Sequence, residues 1–302
     1  MYTRIKALMN PRRVAIYILC HYLAPLLPDG VYLKVLFWLS MGYWPNIDNP
    51  QTFNEKLQWL KLYNRKPEYT QMVDKAAVKK YVSEIIGEEY IIPTIGVWDS
   101  VEDIDFANLP NQFVLKTTNG GGNTGVVICK DKSTFDIKSA KRKLKKSLQI
   151  SIYRRFREWP YKDVNSRIMA EEYMVDESGY ELKDYKWLCF DGEPKALFVA
   201  TDRAVHGEET KFDFFDTEFN HLTLTNGHPN SHKPIAKPLG FERMKVLAAK
   251  LSAGHPHLRV DFYDINGKIY FGELTFFHFS GMVPFEPKEW DYKLGALIKL
   301  PM

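Results

Sequence analysis

The sequence predicts an α+β fold, with helices first and a mainly antiparallel sheet after them, on three observations. Apolar residues recur at helical spacing in Phe53 to Tyr63 and in Asp74 to Ile86. An apolar run from Phe113 opens into Gly120, Gly121 and Gly122 and closes into a second apolar run, Val126 to Ile128, which reads as strand, loop, strand. Further on, two stretches turn back at Asp191-Gly192 and Asn266-Gly267, the residue pairs that tight hairpins favour. With 302 residues the chain can hold one large domain or roughly two to three small ones, each with its own core.

A formal net charge of +4 is too mild for a dedicated nucleic-acid binder. Cys20, Cys129 and Cys189 lie far apart with no metal-ligand or redox spacing, so free thiols in a reducing cytoplasm are expected.

At the N-terminus, Arg4, Lys6, Arg12 and Arg13 precede the apolar run Val14 to Leu27, and the first acid is Asp29. No A-x-A-like cleavage site follows the run. Interrupted by His21 and Pro25, it is also shorter than the roughly 20 residues a bilayer requires. A second apolar stretch, Val31 to Trp44, is helical in pattern. Two readings stay open: helices packed on the body of the protein, or an interfacial helix whose basic flank meets anionic lipid.

Prolines and asparagines punctuate Pro45 to Thr52. The helix Phe53 to Tyr63 then turns Phe53, Leu57 and Leu60 inward. In the helix Asp74 to Ile86, which ends before Gly87, Lys75 stands in the first turn. Tyr90 to Val97, with Pro93 and Gly96, reads as a short strand and turn leading to the Phe113 strand. There the glycine loop can bring backbone N–H groups close to an anion, and Lys116 adds a full charge beside it, which suits a phosphate cradle. The competing reading is a hairpin tip whose glycines only supply positive φ. A P-loop and a Rossmann turn are both excluded, because a strand and not a helix follows.

A lysine-rich helix, Ser139 to Leu148, leads into the basic and aromatic stretch Tyr153 to Asn165. This is a solvated face flanking a phosphate site or a nucleic-acid patch, and the mild net charge favours the former. Trp159 and Tyr161 are candidates for stacking on sugar rings, or form a packed corner around Pro160. The strand Arg167 to Met174 runs into Glu171 and Glu172. After a turn at Asp176 to Gly179, the strands Tyr185 to Phe190 and Lys195 to Ala200 flank Asp191-Gly192. Asp202 to Pro238, rich in His, Asn, Gly and Pro, holds one strand-like run, Phe212 to Phe219, and reads as a substrate-facing insertion. The helix Phe241 to Ser252 follows. His255 and His257, flanking Pro256, are a simple turn or a transition-metal pair.

The last informative stretch, Leu258 to Gly281, is a hairpin carrying Arg259, Asp261, Glu273 and Thr275. A two-residue Asn266-Gly267 loop puts Asp261 and Glu273 on opposite faces. A three-residue loop, Ile265 to Gly267, pairs Asp264 with Lys268, sets Arg259 opposite Glu273 and brings Asp261 to the same face. Two carboxylates then point into one site, where they either bind Mg²⁺ shared with substrate phosphates or form a salt-bridged cluster with Arg259.

Lys75, FVLK116 with its glycine loop, the AEEYM stretch, Asp184 to Phe190 and RVD…GELT, in that order, resemble the ATP-grasp superfamily. More closely, FNEKLQWLKLY, REWPYKDVNSRIMAEEYM, DYKWLCFDG and RVDFYDINGKIYFGELTF resemble its teichuronopeptide-biosynthesis (TupA-like) branch, over roughly residue 45 to the end. The resemblance implies a helical region over 1–45, an N-terminal subdomain over 46–112, a mobile glycine-loop lid over 113–172 and a C-terminal subdomain over 173–302. It implies that Lys75 and Lys116 hold the ATP phosphates, while Gly120, Gly121, Gly122, Asn123 and Thr124 close over them. Glu171, Glu172, Tyr173 and Met174 become the adenine hinge and Asp184 the ribose acceptor. Lys186 and Arg259 become the catalytic cations, Arg259 at the transferring phosphoryl group. Asp261 and Glu273 become Mg²⁺ ligands. Thr275 stands where many ATP-grasp ligases carry a metal-binding asparagine, and His278 where the branch tends to have proline.

By the same resemblance the activity is an ATP- and Mg²⁺-dependent carboxylate-amine ligase, acting through an acyl phosphate on a uronic acid of a capsule, O-antigen or teichuronopeptide, or on its lipid-linked precursor. Clustered cations and paired acids suit phosphoryl transfer, which requires charge far more than a protein nucleophile. The rivals are a transferase of the same pathway, either glycosyltransferase or kinase, and a non-catalytic binder in a polysaccharide assembly complex. The expected setting is the cytoplasm, with peripheral contact at the inner face of the membrane and no nucleic-acid partner.

Overall fold

The computed structural model describes residues 10–122, 124–179, 181–203 and 209–301. Arg4, Lys6 and Asn123 lie outside them.

The chain opens with α1 (Pro11–Ile18), one π-helical turn and α2 (Asp29–Met41). Next comes α3 (Phe53–Tyr63), started by a capping box in which Thr52 Oγ1 accepts from the Glu55 amide and Glu55 accepts in return from the Thr52 amide. The short α4 (Glu68–Val73) leads to α5 (Ala77–Ile86). Asp74 accepts from the amides of Ala76 and Ala77, which fixes the start of α5 and leaves Lys75 just ahead of the helix instead of in its first turn.

Two antiparallel sheets follow. The smaller has the order β1-β4-β2-β3, from β1 (Thr94–Trp98), β2 (Phe113–Thr117), β3 (Val126–Cys129) and β4 (Ile168–Glu172). Between β3 and β4 run α6 (Ile137–Leu148) and α7 (Ile152–Phe156). Leu144 of α6 joins Phe113, Leu115, Ile168 and Ala170 in the core of this unit.

The larger sheet has the order β11-β10-β5-β6-β7-β8. Its strands are β5 (Asp184–Phe190), β6 (Glu193–Thr201), β7 (Lys211–Phe215), β8 (His221–Leu222), β10 (Leu258–Ile265) and β11 (Lys268–Thr275). Asp191 and Gly192, both at positive φ, make the tight turn between β5 and β6. The helix α8 (Phe241–Ser252) packs Phe241, Met244, Leu247 and Leu251 into the main core, together with Phe53 and Leu57 of α3. A small pair, β9 (Thr225–Asn226) with β12 (Phe285–Glu286), and α9 (Glu289–Leu297) complete the chain.

The segment Asp202 to Pro238 corrects the expectation of a substrate-facing insertion. Its β7 and β8 extend the large sheet, and among its described residues Arg203 alone lines the cavity discussed below. His255 and His257 are packing residues: the His257 ring lies 4.9 Å from Phe53, and its Nδ1 is 3.0 Å from the Cys189 carbonyl oxygen. All three cysteines are free thiols. Tyr161 packs against the main core, as in the packed-corner reading.

Candidate active site

Between the small sheet and the edge of the large one lies a cavity of about 340 Å³. Lys75, Lys116, Gly122, Glu171, Glu172, Tyr173, Met174, Asp184, Lys186 and Glu273 all line it. Residues far apart in sequence thus converge from two sheets and a helix start. On this wall cationic side chains outnumber carboxylates, which suits an anionic ligand.

The small-sheet side is arranged around Glu171. Val114 sits opposite Glu171 in the β2–β4 pairing, so Lys116, two residues along the same face, reaches the carboxylate diagonally, Nζ to Oε2 2.5 Å. Lys79 holds the other oxygen at 2.6 Å. Burial opposes the charge on Glu171, but Lys116 and Lys79 overcome it and hold the carboxyl below its usual range. Lys75 donates to the Gly120 carbonyl of the glycine loop. Its ammonium is pushed below the ordinary lysine range by burial, against the pull of Glu273.

Within the loop, Gly122 has φ +58° and reaches the cavity, while Gly121 and Thr124 are exposed and do not line it. Gly125 has a packing reason: a Cβ there would lie 2.1 Å from Thr117 Oγ1.

On the large sheet, a row crosses three strands. Lys186 is opposite Asp261, and Asp261 is opposite Glu273. The connecting turn is the two-residue Asn266-Gly267, with Ile265 paired to Lys268, so the three-residue loop is corrected. The acids nevertheless meet, because the register shifts between Asp261 and Phe262 and leaves Gly272 as the extra residue of a bulge. Arg259 consequently faces Thr275 and not Glu273 across the ladder.

Arg259 does not line the cavity. Its guanidinium lies against both Asp261 oxygens at 2.7 Å, reaches Glu273 Oε1 at 2.7 Å and meets His278 Nδ1 at 3.0 Å. Lys186 donates to Asp261 as well. Burial works against the charge on Glu273, but Arg259, then Lys75 and Lys186, hold its pKa down at about 2. His278 is buried between Arg259 and Asn226, whose Oδ1 is 2.8 Å from its Nε2. Asp184 is buried between Lys186, 3.5 Å away, and Arg203.

Both Asp261 oxygens are engaged by cations and Asp261 is fully buried, whereas Glu273 is partly exposed on the cavity wall. Thr275 Oγ1 lies 3.3 Å from Glu273 Oε1 and does not line the cavity. Among the described residues no group of three or more His, Cys, Asp or Glu side chains could hold a metal by itself. One wall carboxylate backed by a second fits Mg²⁺, which keeps waters and takes its remaining ligands from substrate phosphates.

Sequence reasoning missed Lys79, Glu181, Arg203 and Tyr263, all on the cavity wall. Lys79 was within reach of helical spacing, four residues beyond Lys75. Arg203 follows the end of β6, three residues beyond Ala200, which pairs with Asp184, so register counted outward from the Asp191-Gly192 turn was the available signal.

A family model described as TupA-like ATPgrasp matches residues 55–299. Among solved structures, D-alanine–D-alanine ligase from Helicobacter pylori aligns at 15% identity over 82% of this chain and 69% of its own, with a TM-score of 0.46. N5-carboxyaminoimidazole synthase from Aspergillus clavatus, in complex with ADP, aligns at 13% over 78% and 53%, with a TM-score of 0.42. The ATP-grasp ligase PsnB, complexed with minimal precursor, Mg and ADP, aligns at 11% over 74% and 57%, with a TM-score of 0.39. The chain spans less than two thirds of the latter two. No curated protein sequence matches it significantly.

Proposed function

The chain belongs to the TupA-like ATP-grasp family, and from that premise we propose that it is an ATP- and Mg²⁺-dependent ligase that joins an amine to a carboxylate through an acyl phosphate. The observation that supports this most is the shared cavity, where Lys75 from the start of α5 and Lys116 from β2 meet Lys186 and Glu273 from the large sheet. Glu172 to Met174, at the end of β4, would take the base, and Asp184 the ribose.

In this reading a carboxylate oxygen of the acceptor attacks the γ-phosphorus of ATP and ADP leaves. The amine nitrogen then attacks the acyl carbon, phosphate leaves and the amine loses a proton. Lys75, Lys116 and Lys186 neutralise the phosphoryl oxygens as charge redistributes. Lys75, whose charge burial makes costly, has that charge stabilised by an arriving phosphate. Arg259 fixes Asp261 and Glu273 in place, acting on the reacting atoms through them. Glu273, backed by Asp261, would hold Mg²⁺, which supplies charge neutralisation on the phosphates. The glycine loop over the cavity keeps water from the acyl phosphate.

The acceptor in this reading is a uronic acid of a surface polysaccharide or its lipid-linked precursor, met at the cytoplasmic face of the membrane. Incubation with ATP, Mg²⁺, a uronic acid and a panel of amines tests it. ADP, phosphate and amide are expected in equal amounts. A phosphorylated sugar formed without amine, or consumption of a nucleotide sugar, would replace the ligase with a kinase or a glycosyltransferase.

A further inference from the structure

Residues 10–45 precede the part matched by the family model, yet they are built firmly onto the body. Tyr32, Leu33, Leu36 and Phe37 of α2 are buried in one cluster with Met282, the residue that follows the left-handed backbone of Phe279, Ser280 and Gly281 beyond β11. The Tyr32 hydroxyl donates to the Arg155 carbonyl at 2.8 Å, and the Arg157 guanidinium lies 4.1 Å from the Tyr32 ring centre. These contacts join the helix pair to α7 on one side and to the turn after the Glu273 strand on the other.

The two helices and the segments between and after them leave several large apolar side chains uncovered. Tyr22 is 65% exposed, Leu26 76% and Trp44 59%, with Tyr17, Val31 and Trp38 also open to solvent. The rings of Trp38 and Trp44 stack at 5.3 Å. Soluble surfaces rarely gather so many large apolar side chains without a partner.

The charges nearby say which partner. Arg12 and Arg13 on α1 and Arg154 and Arg155 on the adjoining α7 are exposed. Up to residue 47 the one acid is Asp29, and it is neutralised by Arg65 at 2.8 Å and Arg157 at 2.9 Å. A second copy docked on the same face by two-fold symmetry would bring arginine against arginine, which disfavours self-association. Tyrosine and tryptophan around aliphatic side chains, fringed by arginines, with exposed Asp48 as the nearest acid that no arginine or lysine among the described residues neutralises, match the headgroup region of an anionic bilayer. Among the described residues no helix is long and apolar enough to cross a membrane, so the contact is lateral.

We propose that the uncovered face of α1 and α2, with Arg12, Arg13, Arg154 and Arg155 at its margin, docks the protein flat on an anionic lipid bilayer. Taken with the ligase reading, on which only this second step rests, the covered face of α2 packs on Met282 in the turn after the Glu273 strand, so a lipid-linked acceptor would approach from the α2 side and not through the glycine lid.

The test is sedimentation of the full chain with phosphatidylcholine vesicles, with and without phosphatidylglycerol. Binding is expected only with the anionic lipid. It should fall at least about tenfold in Tyr22→Ser/Leu26→Ser and comparably in Arg154→Glu/Arg155→Glu. All four side chains are exposed, and ATP binding, measured on the same variants, should stay unchanged. The proposal is overturned if the wild type stays in the supernatant with anionic vesicles, if the variants bind as well as it does, or if the apolar substitutions instead dissolve a dimer that does not bind lipid. A protein that binds vesicles but not ATP would sink the ligase reading and leave the docking face standing.

Discussion

Asp261 lies directly opposite Glu273 in the β10–β11 ladder, and a single extra residue, Gly272, brings them there. The two-residue Asn266-Gly267 turn alone would send the two carboxylates to opposite faces, and the bulge restores the parity. A Cβ at Gly272 would lie 3.1 Å from the Asp261 carbonyl oxygen. Gly272→Val is therefore expected to cost about 1–3 kcal/mol and to lower turnover more than ATP affinity, as read by urea unfolding and steady-state rates. Gly30→Ala, where nothing lies within 4 Å, should do neither.

Glu171 is the counter-charge for both Lys116 and Lys79. Glu171→Gln leaves two lysines facing each other in a largely buried place and should destabilise the protein by up to about 3 kcal/mol. Adding ATP and Mg²⁺ should return part of that loss, because phosphate replaces the missing negative charge. Unfolding curves with and without nucleotide check both halves.

Arg259 grips Asp261 with two parallel bonds and Glu273 with a third contact, yet stays off the cavity wall. Arg259→Lys loses the planar fork that makes this possible. Turnover should fall by about 10²-fold or more while the ATP dissociation constant hardly moves, a split that calorimetry and rate assays resolve.

Three buried histidines set the acid limit of stability. Burial holds His255 at about 4 and His257 at about 3, and keeps His278 well below 6.5. The unfolded chain takes up protons below its ordinary 6.5 that the folded protein refuses, so stability falls as the pH drops from about 6.5 toward 4. Each such histidine contributes up to about 1.4 kcal/mol per pH unit in that window. His257→Gln should flatten the slope of unfolding free energy against pH by that amount.

Much of this was legible because local chemistry and tertiary structure agree. Phe53–Tyr63 and Phe241–Ser252 are helices with the bounds that their apolar spacing gives. The glycine hairpin and the Asp191-Gly192 turn follow from positive-φ residues between alternating strands. The register of the last hairpin does not follow from the turn, because a bulge between Asp261 and Phe262 reverses the face parity that the turn sets. Gly272 inside a strand was the available sign of a bulge. Arg203 meets Asp184 at the open end of the β5–β6 hairpin, where Asp184 pairs with Ala200, but it lies beyond the regular strand and so leaves no periodic trace. The uncovered side of α1 and α2 was equally hidden, since an apolar run does not say which of its residues the body will cover.

Ligase activity at this site requires one nucleotide to bridge the cations beside the glycine loop and the acids of the last hairpin. Titration calorimetry with ATP and Mg²⁺ on the wild type, Lys116→Ala and Glu273→Gln tests this most directly, with circular dichroism confirming that each variant is folded. One ATP should bind per chain, with affinity weakened about tenfold or more by Lys116→Ala and with its dependence on Mg²⁺ lost in Glu273→Gln. Unchanged, equally metal-dependent binding in both variants, or none in the wild type, would contradict it.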